Sequence, residues 1–160
     1  MKIGVVLVTH YQIGKEFLHA LRLIVPNTPD FFTVSIDPKQ SVDEMRQLIE
    51  RALKQADTGA GVLVLTDMFG GTPSNMSLSF VEETGVEVVT GLNLPMLIKL
   101  ATLSEDQPLD ELAKFIKSYG PRTISVASVI LPEKHSWTRA PQRRSRSEDG
   151  GDAAGYPRAR

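Results

Sequence analysis

Two polar residues that follow apolar runs are the strongest sign of chemistry in this chain. His10 and Asp67 each come one threonine after an apolar run, at residues 3–8 and 62–65. Both runs are typical of buried parallel strands, whose carboxyl ends meet along one edge of an open α/β sheet. Asp67 would then accept a hydrogen bond from one ring nitrogen of His10 and leave the lone pair of the other nitrogen for an incoming phosphorus. We therefore predict that His10 and Asp67 form a catalytic pair that takes up and hands on a phosphoryl group.

A glycine turn after the second apolar run has the composition of a phosphoryl-binding site. Gly70 and Gly71 allow the backbone to approach a phosphoryl group closely, and Thr72 followed by proline is typical of a helix start, with the threonine as its cap. The free amides and the dipole at such a start stabilise negative charge without a metal. The hydroxyls of Thr72, Ser74 and Thr9 would add donors. We expect these residues to bind the phosphoryl group, with no metal and no cofactor.

Each of these residues also has a purely structural interpretation. His10 could be a satisfied polar residue at a strand end, Asp67 a turn cap, and residues 70–75 an ordinary turn with a strong helix cap. The chemical interpretation is favoured because two strand ends and a helix start converge at one sheet edge. The other two histidines are not expected to react, since His19 lies on a helix surface and His135 lies near the end of the chain.

The elements that must position this pair can be read from the hydrophobic pattern. Apolar, β-branched runs alternate with amphipathic stretches, which predicts βαβ units in an open α/β fold with a mostly parallel sheet. The predicted strands cover residues 3–9, 31–36, 62–65 and 86–90, and the predicted helices cover residues 17–25, 42–53, 72–84, 93–103 and 109–119. A last apolar run at residues 123–131 has no helix after it. We expect it to form an edge strand, either antiparallel or paired with another subunit.

The composition indicates one domain and excludes several kinds of site. The chain has 160 residues, of which 41% are hydrophobic, and this suffices for one packed core. We place that domain at residues 1–132. The chain has no cysteine, which excludes disulfides, thiolate catalysis and cysteine-bound metals. Few side chains in residues 133–160 could be buried, so we expect a disordered basic tail there.

The charge is unevenly distributed along the chain. Residues 1–132 contain 11 basic and 15 acidic side chains, a net charge of −4, whereas residues 133–160 contain 7 and 4, a net charge of +3. An acidic domain argues against nucleic acid as the main partner, because phosphate binding needs a concentrated basic surface. No apolar stretch approaches the ~18 residues of a membrane span, so we expect a cytoplasmic protein.

Three blocks of sequence resemble a known family. They are Val-Thr-His at residues 8–10, Asp-Met-Phe-Gly-Gly-Thr-Pro-Ser-Asn at residues 67–75, and Gly-Leu-Asn-Leu-Pro-Met-Leu at residues 91–97. Together and in this order they resemble the IIA component of the mannose-family bacterial phosphotransferase system, over roughly residues 2–131. The resemblance implies an open three-layer α/β sheet with the strand order 2-1-3-4. It also implies that the histidine of the first block is phosphorylated and that the aspartate of the second orients it.

The resemblance implies partners as well. The family's histidine accepts a phosphoryl group from phospho-HPr and passes it to a IIB component for sugar uptake and phosphorylation, so the protein is expected to be a phosphotransferase. Contact with the membrane would be indirect, through IIC and IID components. The family forms homodimers by exchanging a C-terminal strand, which corresponds to residues 123–131. The alternative is a regulatory module, in which the phosphorylation state of His10 controls binding to a kinase, transporter or regulator. A small-molecule binding protein of flavodoxin-like shape is a third hypothesis, which is less favoured because the sequence has no flavin-type phosphate loop.

Tyr11 departs from the family pattern, which has a glycine directly after the active histidine. We favour a role in shielding the phosphorylated imidazole from water. The alternatives are contact with an incoming partner and packing against the first helix.

Overall fold

Four parallel strands form the sheet that carries the candidate residues. The computed structural model describes residues 2–81, 85–104 and 107–130. The strands are β1 (Gly4–His10), β2 (Phe32–Ile36), β3 (Val62–Thr66) and β4 (Val86–Thr90). They are arranged in the order β2-β1-β3-β4, and every neighbouring pair is parallel. The predicted open α/β sheet and its strand order are confirmed.

Helices cover both faces of this sheet. They are α1 (Ile13–Ile24), α2 (Val42–Ala56), α3 (Thr72–Leu78), α4 (Leu94–Ala101) and α5 (Leu109–Arg122). A further short helix, α6 (Ala127–Ile130), belongs to a separate unit that begins at Val126. Because strand side chains alternate between faces, Val5 and Leu7 of β1 pack with α1, α4 and α5, whereas Val6 and Val8 pack with α2 and the end of α3. The result is the predicted three-layer arrangement.

The strand order determines where a ligand or partner can approach. From β1 the chain passes through α1 to β2 on one side, and then through α2 to β3 on the other side of β1. The order therefore reverses between β1 and β3, and the crevice outside the carboxyl ends of these two strands is the usual binding position in open α/β sheets. His10 is the last residue of β1 and Asp67 comes directly after β3, so both lie at this crevice.

Local hydrogen bonds explain why the helices begin where they do. Ser41 and Glu44 form a capping box at α2, in which each side chain bonds the backbone amide of the other residue. Asn93 caps α4 by accepting a hydrogen bond from the Met96 amide at 3.0 Å. Among the described residues, no helix is long and apolar enough to cross a bilayer.

All five predicted helices differ in length from the observed ones, and two of these differences have a local explanation. The third helix ends at Leu78, because Ser77 donates its hydroxyl to the Pro73 carbonyl and the Phe80 amide donates to the Ser77 carbonyl in a tighter turn. Residues 82–84 of the predicted helix lie outside the described residues. The fifth runs on to Arg122 instead of ending near residue 119. Its proline occupies the last turn, where the missing amide removes only one helical hydrogen bond.

The predicted strand at residues 123–131 is wrong for the single chain. Thr123 ends α5, Ala127–Ile130 forms the short helix α6, and Leu131 lies outside the described residues. A lone segment becomes a strand only where its amides and carbonyls meet another strand, and these residues use a local turn instead, in which the Val129 amide bonds the Val126 carbonyl at 2.9 Å. Exchange between subunits stays a prediction, and the predicted tail at residues 133–160 falls outside the described residues.

Candidate functional site

The carboxylate of Asp67 holds His10 at two points. Its Oδ2 accepts a hydrogen bond from His10 Nδ1 at 2.8 Å and another from the His10 backbone amide at 3.1 Å. Its Oδ1 accepts the Met68 amide at 3.1 Å. Since an ionised carboxylate only accepts hydrogen bonds, this geometry assigns the ring proton to Nδ1 and leaves the lone pair of Nε2 available. The predicted approach of His10 and Asp67 is present in the structure.

The two side chains differ in their access to solvent. The His10 side chain is 30% exposed, whereas that of Asp67 is 13% exposed. The carboxylate is therefore the more sheltered of the two groups, and the imidazole is partly open to solvent. No cluster of three metal-ligating side chains occurs in the described part of the chain.

The two glycines of the turn serve different purposes. A Cβ on Gly71 would lie 2.7 Å from His10 Cε1 and 3.2 Å from Nε2, so the start of α3 packs against the reactive edge of the ring without a side chain between them. Gly70 has no atom within 4 Å of such a Cβ, but its φ of +79° lies in the left-handed region that favours glycine. Gly71 thus provides space and Gly70 provides the turn.

The first turn of α3 places two of the predicted hydroxyl residues. Gly71 is the helix cap and has no side chain to bond, so the predicted capping role of Thr72 is wrong, and Thr72 is an exposed residue in the first turn. Ser74 is fully buried, and its Oγ has no hydrogen-bond partner among the described residues. Both residues follow directly on the backbone that contacts the imidazole.

Thr9 is not brought to this side of the sheet. It precedes His10 in β1, so the two side chains point to opposite faces. Its buried Oγ1 accepts a hydrogen bond from the Gly14 amide at 2.8 Å and so fixes the first turn of α1. The position of this hydroxyl fits a structural role better than contact with a phosphoryl group.

Exposed apolar side chains surround the pair, and sequence reasoning found only some of them. Met68 and Phe69 were recognisable as apolar residues in a loop, and they are 54% and 73% exposed. Tyr11 and Ile13 are 54% and 42% exposed at the other side of the pair. Ile13 was missed because the apolar spacing that predicts the first helix begins only at residue 17, whereas α1 begins at Ile13. The only signal available for Tyr11 was its replacement of an expected glycine.

Comparison with known proteins identifies the family model that fits this chain. The model described as PTS system fructose IIA component matches residues 4–117. The sorbose-specific EIIA component of Lacticaseibacillus casei is 30% identical over 113 residues, which cover 70% of this chain and 81% of that protein. The mannose-specific EIIAB component of Escherichia coli strain K12 is 29% identical over 136 residues, but the chain spans only 42% of its length.

A solved structure agrees with the sequence matches. The mannose/sorbose specific IIA subunit from Enterococcus faecalis superimposes with a TM-score of 0.74 at 30% identity, over 83% of this chain and 98% of that chain. The similarity therefore extends over nearly the whole of the compared subunit and includes the sheet that carries His10.

The different purposes of the two glycines can be tested by adding one methyl group to each. Gly71→Ala places a Cβ against the imidazole, so we expect the bond between Nδ1 and Asp67 to break, which shifts the ¹⁵N resonances of the His10 ring. Gly70→Ala is the matched control, because its Cβ meets open space but its φ is unfavourable. We expect it to lower the free energy of unfolding by about 1 kcal/mol and to leave the ring resonances in place. Unshifted ring resonances in Gly71→Ala would contradict the close packing.

Proposed function

The chain belongs to the family of PTS system fructose IIA components, which are phosphotransfer proteins of sugar transport systems, and from this we propose that it is a phosphocarrier. Nε2 of His10 accepts a phosphoryl group from phospho-HPr and passes it to a IIB component. The observation that carries this proposal is the ring geometry, in which Asp67 binds Nδ1 and no described residue forms a hydrogen bond with the opposite nitrogen. The protein acts in the cytoplasm, and IIC and IID components connect it to the membrane.

The transfer step needs one nucleophilic nitrogen and one fixed carboxylate. The lone pair of Nε2 attacks phosphorus, and the bond between phosphorus and the ring nitrogen of the donor breaks as the new bond forms. The electron pair of the broken bond returns to the donor's imidazole. The His10 ring becomes more positive, and the carboxylate of Asp67, 2.8 Å from Nδ1, stabilises this charge. Transfer between two imidazoles is nearly balanced in energy, so positioning contributes most of the rate.

The start of α3 is the proposed cradle for the phosphoryl oxygens. The first amides of a helix have no partner within the helix, and here they follow directly on Gly71, which touches the Nε2 edge of the ring. The amides of Thr72 and Ser74 and the hydroxyl of Thr72 are the proposed donors. Pro73 between them has no amide to offer. The buried hydroxyl of Ser74, which has no other described partner, is a further candidate.

Labelling with enzyme I, HPr and ³²P-phosphoenolpyruvate tests the proposal directly. We expect one acid-labile phosphoryl group per chain in the wild type, because phosphohistidine hydrolyses in acid, and none in His10→Ala. His19→Ala is the matched control and keeps the label, since that side chain is exposed on α1 and, within the described residues, forms a hydrogen bond only with Glu16. Label retained by His10→Ala would refute the assignment. Label that reaches His10 but is not passed to any IIB component would favour the regulatory module instead.

The substitution Asp67→Asn tests whether Asp67 orients the imidazole or only forms a turn. Asp67→Asn removes the charge that stabilises the phosphorylated ring, so we expect phosphoryl transfer to slow by roughly ten- to thousand-fold, measured by rapid quench. Asp37→Asn is the control, because Asp37 follows β2 at the same sheet edge, but among the described residues its carboxylate accepts a hydrogen bond only from the Lys39 amide of its own turn. We expect it to transfer at the wild-type rate. A wild-type rate in Asp67→Asn would reduce that residue to a turn cap.

We also infer that the chain forms a homodimer through its C-terminal apolar run. Ile124, Val126, Val129 and Ile130 are between 63% and 82% exposed in the single chain. Apolar residues this exposed and this close together in sequence indicate a surface that a partner covers. Pairing with a second copy would also satisfy the backbone of a strand, which a single chain cannot do at these positions.

Truncation tests whether the C-terminal apolar run joins two copies of the chain or stays exposed in a monomer. We expect light scattering to give a dimeric mass for the full chain and for a chain ending at Glu133, because both keep the apolar run. A chain ending at Thr123 lacks it and is expected to be monomeric. A monomeric full chain at micromolar concentration would overturn the inference.

A further inference from the structure

Tyr11 has a backbone conformation that favours glycine. Its φ is +44°, and it is the only non-glycine residue with a positive φ in the described part of the chain. A side chain in this region crowds its own backbone, whereas glycine adopts it freely. Two backbone hydrogen bonds fix this conformation. The Tyr11 amide donates to the Ile36 carbonyl of β2 at 3.0 Å, and the preceding His10 amide donates to Asp67, which follows β3.

Folding does not account for the phenol ring at this position. The ring is 54% exposed, and Tyr11 belongs to neither of the two apolar clusters that form the core. A glycine would fit the backbone better, and the core would lose nothing. The reason for a large side chain must therefore lie at the surface, next to the nucleophile.

The two chain segments that follow His10 and Asp67 are apolar at their exposed positions and carry no charge, whereas the neighbouring turn after β2 contains Asp37 and Lys39. Tyr11, Ile13, Met68 and Phe69, which we call the rim, are exposed in the two segments that lead away from His10 and Asp67. Residues 11–14 and 68–81 contain no acidic or basic side chain. An exposed apolar patch of this kind around a reactive atom is typical of the core of a protein interface, where charged residues are scarce and aromatic residues are frequent.

We propose that Tyr11 is a specificity-determining residue for the phosphoryl donor: its ring contacts the HPr protein beside the phosphohistidine and so aligns the two imidazoles. This inference rests on the proposed phosphocarrier function. It adds which side chain of this chain selects the donor. A tyrosine offers a large, rigid contact at small cost in side-chain entropy, and such residues contribute most at the centre of interfaces.

A comparison of two phosphoryl donors distinguishes docking of the donor protein from chemistry at the His10 imidazole. Phospho-HPr must dock, whereas phosphoramidate is a small donor that reaches Nε2 without a protein interface. For Tyr11→Gly we expect the second-order rate constant for acceptance from phospho-HPr to fall by about tenfold, mainly through a higher KM. Acceptance from phosphoramidate should stay within about twofold of the wild type, since neither His10 nor Asp67 has changed.

Further variants distinguish an effect of the Tyr11 ring from an effect of the Tyr11 backbone conformation. Tyr11→Asn keeps a side chain that tolerates a positive φ but removes the ring, so it should behave as Tyr11→Gly, whereas Tyr11→Phe should keep most of the rate. The Tm of Tyr11→Gly should not fall, because relief of the crowded backbone offsets the greater freedom of the unfolded chain. Leu23→Ala is the matched control, since Leu23 is 86% exposed near the far end of α1 and should leave every value unchanged.

Three results would overturn the proposal. Unchanged acceptance from phospho-HPr together with a lower Tm in Tyr11→Gly would make the ring a packing residue. Equal losses with both donors would place its effect on the imidazole itself. Unchanged acceptance with faster hydrolysis of the phosphorylated protein would make it a shield against water. A wild-type protein that accepts from neither donor would refute the phosphocarrier function itself, which is a different result from any loss confined to Tyr11 variants.

Discussion

The carboxylate of Asp67 is the contact on which the site depends, because it joins the ends of two central strands and fixes the histidine between them. One oxygen binds both the backbone amide and the ring nitrogen of His10, and the other oxygen binds the next amide of its own loop. The position and the orientation of the imidazole are therefore set together. A side chain at the end of a strand would otherwise rotate freely. Because the carboxylate is held by the rigid sheet, it fixes the direction in which the lone pair of Nε2 points.

The site is built largely from backbone that carries no side chain in the way. Gly71 brings the start of α3 against the ring, and Gly70 makes the turn that permits it. Tyr11 is the exception, since it keeps a side chain where the backbone favours glycine. The contrast between these positions is the basis of the proposed role of Tyr11: glycine is present where the backbone geometry alone decides, and a ring is present at one position where the backbone also favours glycine.

Apolar periodicity predicted the strands and, because parallel strands bring their ends to one edge, the approach of His10 to Asp67. The strand order was an implication of the family resemblance, and the structure confirms it. The sequence could not distinguish the two glycines, since the pattern of residues does not show which atom lies against each Cα. It also assigned Thr9 to the site, because composition does not reveal that the hydroxyl is already bonded to Gly14 on the opposite face. The last apolar run was predicted as a strand because strand propensity does not say whether a neighbouring edge exists to complete it.

The hydrogen bond from Nδ1 to Asp67 has a consequence for the direction of phosphoryl flow. In the proposed transfer the ring proton is on Nδ1 both before and after the phosphoryl group moves, so the forward and the reverse reaction need little reorganisation of the site. A carrier of this kind is reversible by construction. The net direction then follows mass action between the phosphorylated donor and the empty acceptor, and the fraction of phosphorylated chains becomes a continuous readout of the supply upstream and the demand downstream.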